Sequence, residues 1–275
     1  MCVPGCEQAV HKALSRRGFF RGATAGAAAF AASAVAPAQA QAPATRSFKS
    51  VVDLTHTLSP EFPTFFGVPG IEFEKKYDFK KDGFNLNWWK IVEHCGTHID
   101  APIHFSENGA TVEKIPAEQL VAPLAVVDVS AKAAQNPDYA LSRQDLAEWE
   151  AKNGRLPDGC CVAMNSGWQQ HTGSAAKFVG KDAAGVMHFP GIAPAATEWL
   201  LKERSVVALA SDTLSLDPGN SKDFRTHYQW LPAGRWGIEC IANLDKVPAN
   251  GATLVAGLPK VKDATGSPAR ILALV

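Results

Sequence analysis

Three of the eight histidines and one aspartate fall close together in the sequence, at His94, His98, Asp100 and His104. Imidazole and carboxylate groups are the usual protein ligands of zinc, manganese and iron. A bound divalent ion polarises a carbonyl group and lowers the pKa of a water molecule to about 7, which is the chemistry of metal-assisted hydrolysis. The density of these four side chains therefore predicts a metal centre rather than four unrelated surface or core residues.

The spacing of these residues limits the backbone that can bring them together. A helix would put His94 and His98 on one face, but it would turn Asp100 about 240° away from His94, and Pro102 would interrupt it. An extended chain points all the side chains the same way, because even numbers of residues separate them. A straight strand would nevertheless spread them over about 33 Å, at ~3.3 Å per residue. We therefore predict a strand end that bends, at Gly96 and Pro102, into a metal-binding loop.

The motif is His94-x-Gly96-Thr97-His98-x-Asp100-Ala101-Pro102-x-His104-Phe105. Further segments accompany it in the chain, namely Val52-Asp53-Leu54-Thr55-His56, Asn165-Ser166-Gly167-Trp168, Asp212 to Asp217, the pair His227 and Glu239, and Gly266 to Ile271. Together these segments resemble the metal-dependent cyclase family over residues 50–275. The resemblance implies a swivelling β/α/β fold and a homodimer or homotetramer.

The resemblance also implies a set of metal ligands. The first ion would be held by His94, His98 and Asp100, and a second ion, where two are bound, by Asp100, His227 and Glu239. Zinc and manganese both suit these ligand types, so the identity of the divalent metal and the choice between one and two ions per chain stay open.

The predicted function is hydrolysis of a carbon–nitrogen bond in a small aryl amide or formamide, as in an arylformamidase. The resemblance implies that His104 is the catalytic acid/base, and a histidine that titrates near neutrality can carry a proton from water to the leaving nitrogen. As an alternative, His104 is a further metal ligand. An isatin-type lactam hydrolase or a cyclase/dehydratase fits the same residues. A periplasmic metal-binding protein without catalysis is the alternative from a different class.

Three aromatic residues are candidate substrate contacts. Phe66 lies in an aromatic segment, Trp88 comes just before the metal motif, and Trp168 follows a predicted strand. Since adjacent strand residues face opposite sides, at most one of Trp88 and Trp89 faces the site. We expect Phe66, Trp88 and Trp168 to line a pocket for a small-molecule substrate.

The remaining pattern predicts an α/β protein with a mixed sheet in one domain. Apolar, β-branched runs predict strands at Val51–Leu58, Leu86–Val92, Leu124–Val129, Cys161–Met164, Val206–Ala210, Leu254–Ala256 and Ile271–Val275. A capping pattern at Ser142 and the run Ala193–Lys202 predict helices between them. Residues 64–84 read as an irregular aromatic loop, and residues 169–190 as a polar loop. Alternating strands and helices are typical of an α/β domain.

The composition excludes several classes of protein. The 275 residues include 27 basic and 27 acidic ones, so charge gives no reason to expect a nucleic acid partner or an anionic membrane surface. Six cysteines are too few for a disulfide scaffold. A Cys95–Cys240 bridge and buried free thiols both remain open for the cysteines that follow the N-terminal region.

The N-terminus predicts export. Arg16 and Arg17 form a twin-arginine pattern, residues 22–36 are small and weakly apolar, and A-x-A cleavage sites end at Ala40 and Ala42. The apolar stretch is too short for a membrane anchor, which needs about 20 apolar residues. We predict a signal peptide at residues 1–42 that the Tat export machinery recognises, a hydrolase domain at residues 43–275, and a periplasmic location.

Overall fold

The computed structural model describes residues 47–275, so the predicted signal peptide lies outside the described residues. The strands of this part are β1 (Val51–Asp53), β2 (Ile71–Tyr77), β3 (Leu86–Ile91), β4 (His98–Asp100), β5 (Val121–Asp128), β6 (Ala140–Leu141), β7 (Cys160–Asn165), β8 (Gly191–Ile192), β9 (Val206–Ser211), β10 (Trp236–Glu239), β11 (Ala252–Gly257), β12 (Gly266–Pro268) and β13 (Arg270–Leu274). The helices are α1 (Phe79–Asp82), α2 (Ser130–Ala133), α3 (Arg143–Asn153), α4 (Ala175–Val179), α5 (Pro194–Glu203) and α6 (Arg225–Trp230).

Nine of these strands form one mixed sheet in the order β1-β13-β11-β5-β7-β9-β10-β4-β12. The central strands β5, β7, β9 and β10 run parallel, and antiparallel strands extend the sheet on both sides. An isolated bridge between Thr55 and Ile241 links the chain after β1 to the chain after β10, so the sheet curls. The prediction of an α/β fold with a mixed sheet is confirmed.

Both faces of the central strands are buried, as expected for parallel strands. Along β5, Leu124 and Val126 point into one apolar cluster, whereas Ala125 and Val127 point into another. The second cluster includes residues of three helices, α3, α5 and α6, which cover that face of the sheet. This alternation explains why β5 appears in the sequence as a continuous apolar run.

The helix predicted at Ser142 begins there with a capping box. The backbone N–H of Asp145 donates to Ser142 Oγ at 3.3 Å, and the backbone N–H of Ser142 donates to the Asp145 carboxylate at 2.7 Å. The second predicted helix is α5, with Pro194 as its first residue, a position that does not need a backbone N–H. Both helix predictions are confirmed.

All seven predicted strands are present, although the first ends at Asp53 rather than at Leu58. The loop predicted over residues 64–84 is wrong in its second half, which contains β2 and α1. β2 and β3 form an exposed hairpin in which Glu72 pairs with Lys90. Apart from Ile71, no residue of β2 or β3 is buried, so the hairpin lacks the long apolar face by which a strand is usually predicted. The polar stretch 169–190 likewise contains a short helix, α4.

Residues 47–275 show the state of the cysteines and the character of the helices. Cys95, Cys160, Cys161 and Cys240 are all buried free thiols, so the possible Cys95–Cys240 bridge is not formed. Within the same residues, no helix has the length and apolar character needed to cross a membrane.

Candidate metal centre and active site

The centre of the site is β4, which lies between β10 and β12 in the sheet. His98 and Asp100 are two residues apart on this strand, so their side chains share one face. In the antiparallel register with β10, Glu239 lies opposite His98 and Gly237 lies opposite Asp100. Strand pairing therefore brings Glu239 beside His98 even though the two residues are far apart in the sequence.

Two bends bring the other histidines of the motif to this strand. Gly96 has a φ of +60°, in the left-handed region that favours glycine, and its turn returns His94 towards Asp100. Pro102 opens a 3₁₀ helix, Pro102–Phe105, that turns His104 back over the site. The rings of His94 and His104 stack with their centroids 3.7 Å apart. The bends predicted at Gly96 and Pro102 are therefore both present.

His227 reaches the site from α6. Its Nδ1 donates to Asp217 Oδ2 at 2.6 Å, and the backbone N–H groups of Thr226 and His227 donate to the same carboxylate. Asp217 therefore fixes both the start of α6 and the orientation of the His227 ring. The ring's other nitrogen, Nε2, points at Glu239 Oε1, 3.0 Å away.

Asp100 lies among the three histidines that the sequence assigns as ligands. Its Oδ1 is 2.7 Å from His94 Nδ1 and 3.3 Å from His98 Nε2, and its Oδ2 is 3.7 Å from His227 Nε2. His98 Nε2 is also 3.4 Å from Glu239 Oε2. The structure thus brings together all five side chains that were predicted as metal ligands.

The charges of this cluster are strongly coupled because it is buried. Burial opposes the charge of His98, but Asp100 and Glu239 outweigh it and raise the pKa of His98 to about 10. Burial likewise opposes the charge of His227, yet the nearby carboxylates of Asp100, Asp217 and Glu239 raise its pKa well above the ordinary value. Burial disfavours the charge of Asp100, but the surrounding histidines hold its pKa well below the usual range. The carboxylates of this buried cluster thus favour positive charge among the side chains that surround them.

The donor set fits a divalent cation. His98 Nε2 and Asp100 Oδ2 are buried and have no hydrogen-bond partner among the described residues, which is costly unless a cation satisfies them. Ligand atoms lie within 4.8 Å of one another in two overlapping groups, His94, Asp100 and His104 in one, and His98, Asp100 and Glu239 in the other. Asp100 belongs to both groups, as a carboxylate shared by two ions would. This grouping also keeps His104 within reach as a ligand.

His104 differs from its neighbours in its ionisation. Burial is the largest influence on it and lowers its pKa to about 4, so the ring is neutral at neutral pH. This value is well below the near-neutral pKa expected for His104 from the sequence. A neutral imidazole has a free lone pair and can accept a proton.

An aromatic cavity of about 390 Å³ opens over the cluster. It is lined by Pro63, Thr64, Phe65, Phe66, Val92, His94, Cys95, Gly96, His98, His104, Phe105, Leu214, Ser215, Phe224, His227, Glu239 and Cys240. Four phenylalanine rings, Phe65, Phe66, Phe105 and Phe224, belong to this lining. Phe224 contacts both Phe65 and Phe105, with ring centroids 6.1 and 5.7 Å away.

Of the three predicted substrate contacts, the structure brings one to this cavity. Phe66 lines the cavity and is 73% exposed. Trp88 lies instead on the outward-facing hairpin, 62% exposed, beneath the ammonium group of Lys76. Trp168 is buried in a separate apolar cluster, where its indole N–H donates to the carbonyl of Phe178 at 2.8 Å.

Sequence reasoning missed two rings of the cavity wall and one carboxylate. Phe105 directly follows His104 and is part of the motif, so its position in the sequence could have predicted that it lies near the site. Phe224 has no such signal in the sequence, and its backbone lies in the left-handed region, with a φ of 48°. Asp217 was noted as part of a turn, but its partner His227 is ten residues away on α6.

Comparisons with known proteins identify the family of this chain. The Cyclase family model matches residues 52–218. An isatin hydrolase of Roseibium aggregatum is 34% identical over 242 residues, which cover 82% of this chain and 91% of that protein. A kynurenine formamidase of Bacillus cereus is 26% identical over 223 residues, which cover 80% of this chain and 94% of that protein. The solved structure of isatin hydrolase A from Ralstonia solanacearum has a TM-score of 0.77 and 37% identity, covering 82% of this chain and 92% of that one. The chain belongs to the Cyclase family, as the motif around His94 predicted.

Proposed function

We propose that this protein is a metal-dependent hydrolase that opens the carbon–nitrogen bond of a small, neutral aryl lactam of the isatin type. The observation that carries the proposal is the cavity, which sets an aromatic wall against a cluster of metal-capable side chains. The similarity to isatin hydrolases supports the same substrate class.

The lining of the cavity favours a neutral substrate over an amino acid. No lysine or arginine is among the described residues that line it, and its acidic residue, Glu239, belongs to the ligand cluster. The carboxylate of an amino-acid substrate would lose its water in this cavity without gaining a cationic partner, which is costly. A flat, uncharged ring instead packs against Phe65, Phe66 and Phe224, since aromatic rings stack or meet edge to face.

The ligand cluster would hold one or two ions through His94, His98, Asp100, His227 and Glu239. A divalent ion held there would supply Lewis-acid polarisation of the substrate carbonyl and a more acidic water molecule. Zinc and manganese are both proposed, because imidazole and carboxylate ligands suit either ion.

His104 carries the proton in the proposed reaction. The oxygen of a water molecule bonds to the carbonyl carbon, and the carbon–nitrogen bond breaks. His104, neutral before the reaction, takes a proton from the water and delivers it to the leaving nitrogen. In a lactam, that nitrogen stays attached to the aryl ring, so the product is one molecule with a free amine and a carboxylic acid, which releases its proton to solvent and becomes a carboxylate.

The test compares substrates on the full chain, loaded separately with zinc and manganese. The substrates are isatin, formanilide (a neutral aryl formamide) and N-formylkynurenine (a charged one). We expect turnover of isatin with at least one ion, and faster turnover of formanilide than of N-formylkynurenine. A protein that hydrolyses N-formylkynurenine best would refute the neutral-lactam proposal and leave an arylformamidase, the function of the Bacillus cereus relative. His171→Ala, outside the described cavity lining, serves as the control for a histidine substitution.

We propose further that the protein is exported by the Tat pathway and acts in the periplasm as a homodimer or homotetramer. The twin-arginine pattern supports the export route. The exposed hairpin supports assembly, because Phe73, Trp88 and Trp89 present apolar rings to solvent, and large exposed apolar patches mark interfaces. Light scattering of the purified protein would measure the number of subunits, and a monomer would refute the assembly.

A further inference from the structure

The imidazole of His94 makes a polar contact at each nitrogen. Nδ1 lies 2.7 Å from Asp100 Oδ1, on the side of the ligand cluster. Nε2 lies 2.9 Å from Thr265 Oγ1, on the opposite side of the ring. In neutral imidazole one nitrogen carries the proton and the other is free to bind a metal, so these two contacts decide which nitrogen is the ligand.

The Thr265 hydroxyl donates its proton to Glu93 and not to His94. Thr265 Oγ1 donates to Glu93 Oε2, and the backbone N–H of Thr265 donates to the same oxygen at 3.1 Å. A carboxylate oxygen only accepts hydrogen bonds, and a hydroxyl group has one proton to give. Thr265 Oγ1 must therefore accept from His94, which places a proton on Nε2. The Asp100 carboxylate likewise only accepts, so Nδ1 faces it as a donor, and the Nδ1 proton is the one that a metal ion would replace.

The other two histidine ligands have the opposite arrangement. His98 Nδ1 is 2.9 Å from the carbonyl oxygen of Gly96, which can only accept, so His98 carries its proton on Nδ1. His227 Nδ1 donates to Asp217 in the same way. For both rings, the nitrogen left for a metal is Nε2.

We propose that Glu93 and Thr265 are positioning residues that make His94 bind the metal through Nδ1, while His98 and His227 bind through Nε2. The hydrogen-bond chain from Glu93 through Thr265 keeps the proton on Nε2 and fixes the orientation of the His94 ring, so Nδ1 is the nitrogen left for the ion. Outer partners of this kind typically contribute 10- to 100-fold to metal affinity. The inference rests on the proposed metal centre, and its test reads the tautomer and the affinity rather than turnover.

The first measurement is a long-range ¹H–¹⁵N correlation spectrum of the zinc-loaded full chain with ¹⁵N-labelled histidine. It distinguishes protonated from metal-bound ring nitrogens, and a His94→Gln variant assigns the signals of that ring. We expect His94 to show a proton on Nε2 and zinc on Nδ1, and His98 and His227 to show the reverse. A proton on His94 Nδ1 in the zinc-loaded protein would overturn the proposal.

The second measurement is the zinc affinity of variants, by competition with a chromogenic chelator. Thr265→Val removes the acceptor and Glu93→Ala frees the hydroxyl proton, so each should weaken zinc binding by about 10- to 100-fold. Thr265→Ser and Glu93→Gln keep the hydroxyl and the accepting oxygen, so both should bind zinc nearly as the unchanged protein does. Thr172→Val is the matched control, because the Thr172 hydroxyl donates to the backbone carbonyl of Gln169 in a separate turn.

The outcomes separate this inference from the proposed function. If Thr265→Val and Glu93→Ala are folded and bind zinc as tightly as the unchanged chain, the positioning role is wrong while the metal centre stands. If Thr265→Val does not fold, the comparison of Glu93→Ala with Glu93→Gln decides alone. An unchanged protein that takes up neither zinc nor manganese would overturn the metal centre and this inference together.

Discussion

Gly266 faces the ring of His94, and replacing it by alanine should disable the site. A Cβ atom on residue 266 would lie 2.4 Å from His94 Cε1, 2.8 Å from His94 Nδ1 and 2.7 Å from the backbone oxygen of Ile99. Ordinary contacts begin at 3.4 Å, so the ring would have to retreat by about 1 Å. The Ile99 oxygen cannot retreat freely, because Ile99 lies in β4 and pairs with both Ser267 and Ile238.

A displacement of about 1 Å in a catalytic site can cost about 100-fold in rate. We therefore expect Gly266→Ala to lower kcat/KM about 100-fold, equivalent to ~2.7 kcal/mol of activation free energy. The clash with the backbone should also lower the free energy of unfolding by about 1–3 kcal/mol, as overpacking does.

The assay combines isatin turnover, zinc content by mass spectrometry and thermal unfolding of the same preparation. Gly257→Ala is the matched control, since its Cβ would meet its nearest atom, the backbone oxygen of Arg270, at an ordinary 3.5 Å. That control should keep its activity and its stability. A folded Gly266→Ala protein with unchanged kcat/KM and zinc content would refute the steric argument.

Three further predictions concern other parts of the chain. His104→Ala should keep its metal and lose about 10²- to 10⁴-fold in kcat, measured by metal analysis and turnover; loss of the metal would instead make His104 a ligand. Burial disfavours the charge of Asp145, but Lys132 and other donors hold its pKa in the folded protein below the ordinary 3.8. The ionised carboxylate therefore stabilises the fold above pH 3.8. This contribution to the free energy of unfolding is lost as the pH falls through the lower pKa of the folded state. Asp145→Asn should therefore reduce the free energy of unfolding by about 1–3 kcal/mol at pH 7 and by less in acid. Denaturant titrations of both proteins at pH 7 and in acid measure this difference, and a difference that does not change with pH would contradict the prediction. Replacing Arg16 and Arg17 by lysine should keep the protein in the cytoplasm on cell fractionation, and normal export would exclude the Tat route.

The local part of the site could be predicted because its determinants are close in the sequence. Even spacing puts His98 and Asp100 on one face of β4. Gly96 and Pro102 supply the bends, since glycine tolerates a positive φ and proline ends an extended run before a turn. Residue types and spacing were enough to predict a strand that bends around a metal.

The distant part could not be predicted in the same way. His227 and Glu239 were assigned only through the family resemblance, because no local pattern says that β10 pairs with β4. Trp168 was assigned to the pocket because its ring suits an aryl substrate. Its indole N–H has a backbone acceptor in a separate cluster, and a single sequence does not show that partner. The hairpin raises the same problem, since Trp88 is next to the motif but turns outward.

The position of Asp100 shows why register carries information that sequence spacing does not. Asp100 lies opposite Gly237 on β10 and opposite Gly266 on β12, so glycine is its cross-strand neighbour on both sides. Cross-strand side chains normally fill the space beside each other. Here an added Cβ on Gly266 would collide with His94, and one on Gly237 would lie 2.8 Å from Leu216 Cδ1 but at an ordinary 3.4 Å from Asp100 Oδ2. Beside the carboxylate, Gly266 therefore leaves room for the His94 ring and Gly237 for the Leu216 side chain, and the sequence gives neither glycine this role until the strands are paired. In this fold the candidate ligands can be found from their chemistry, whereas the space in which they converge depends on residues without side chains.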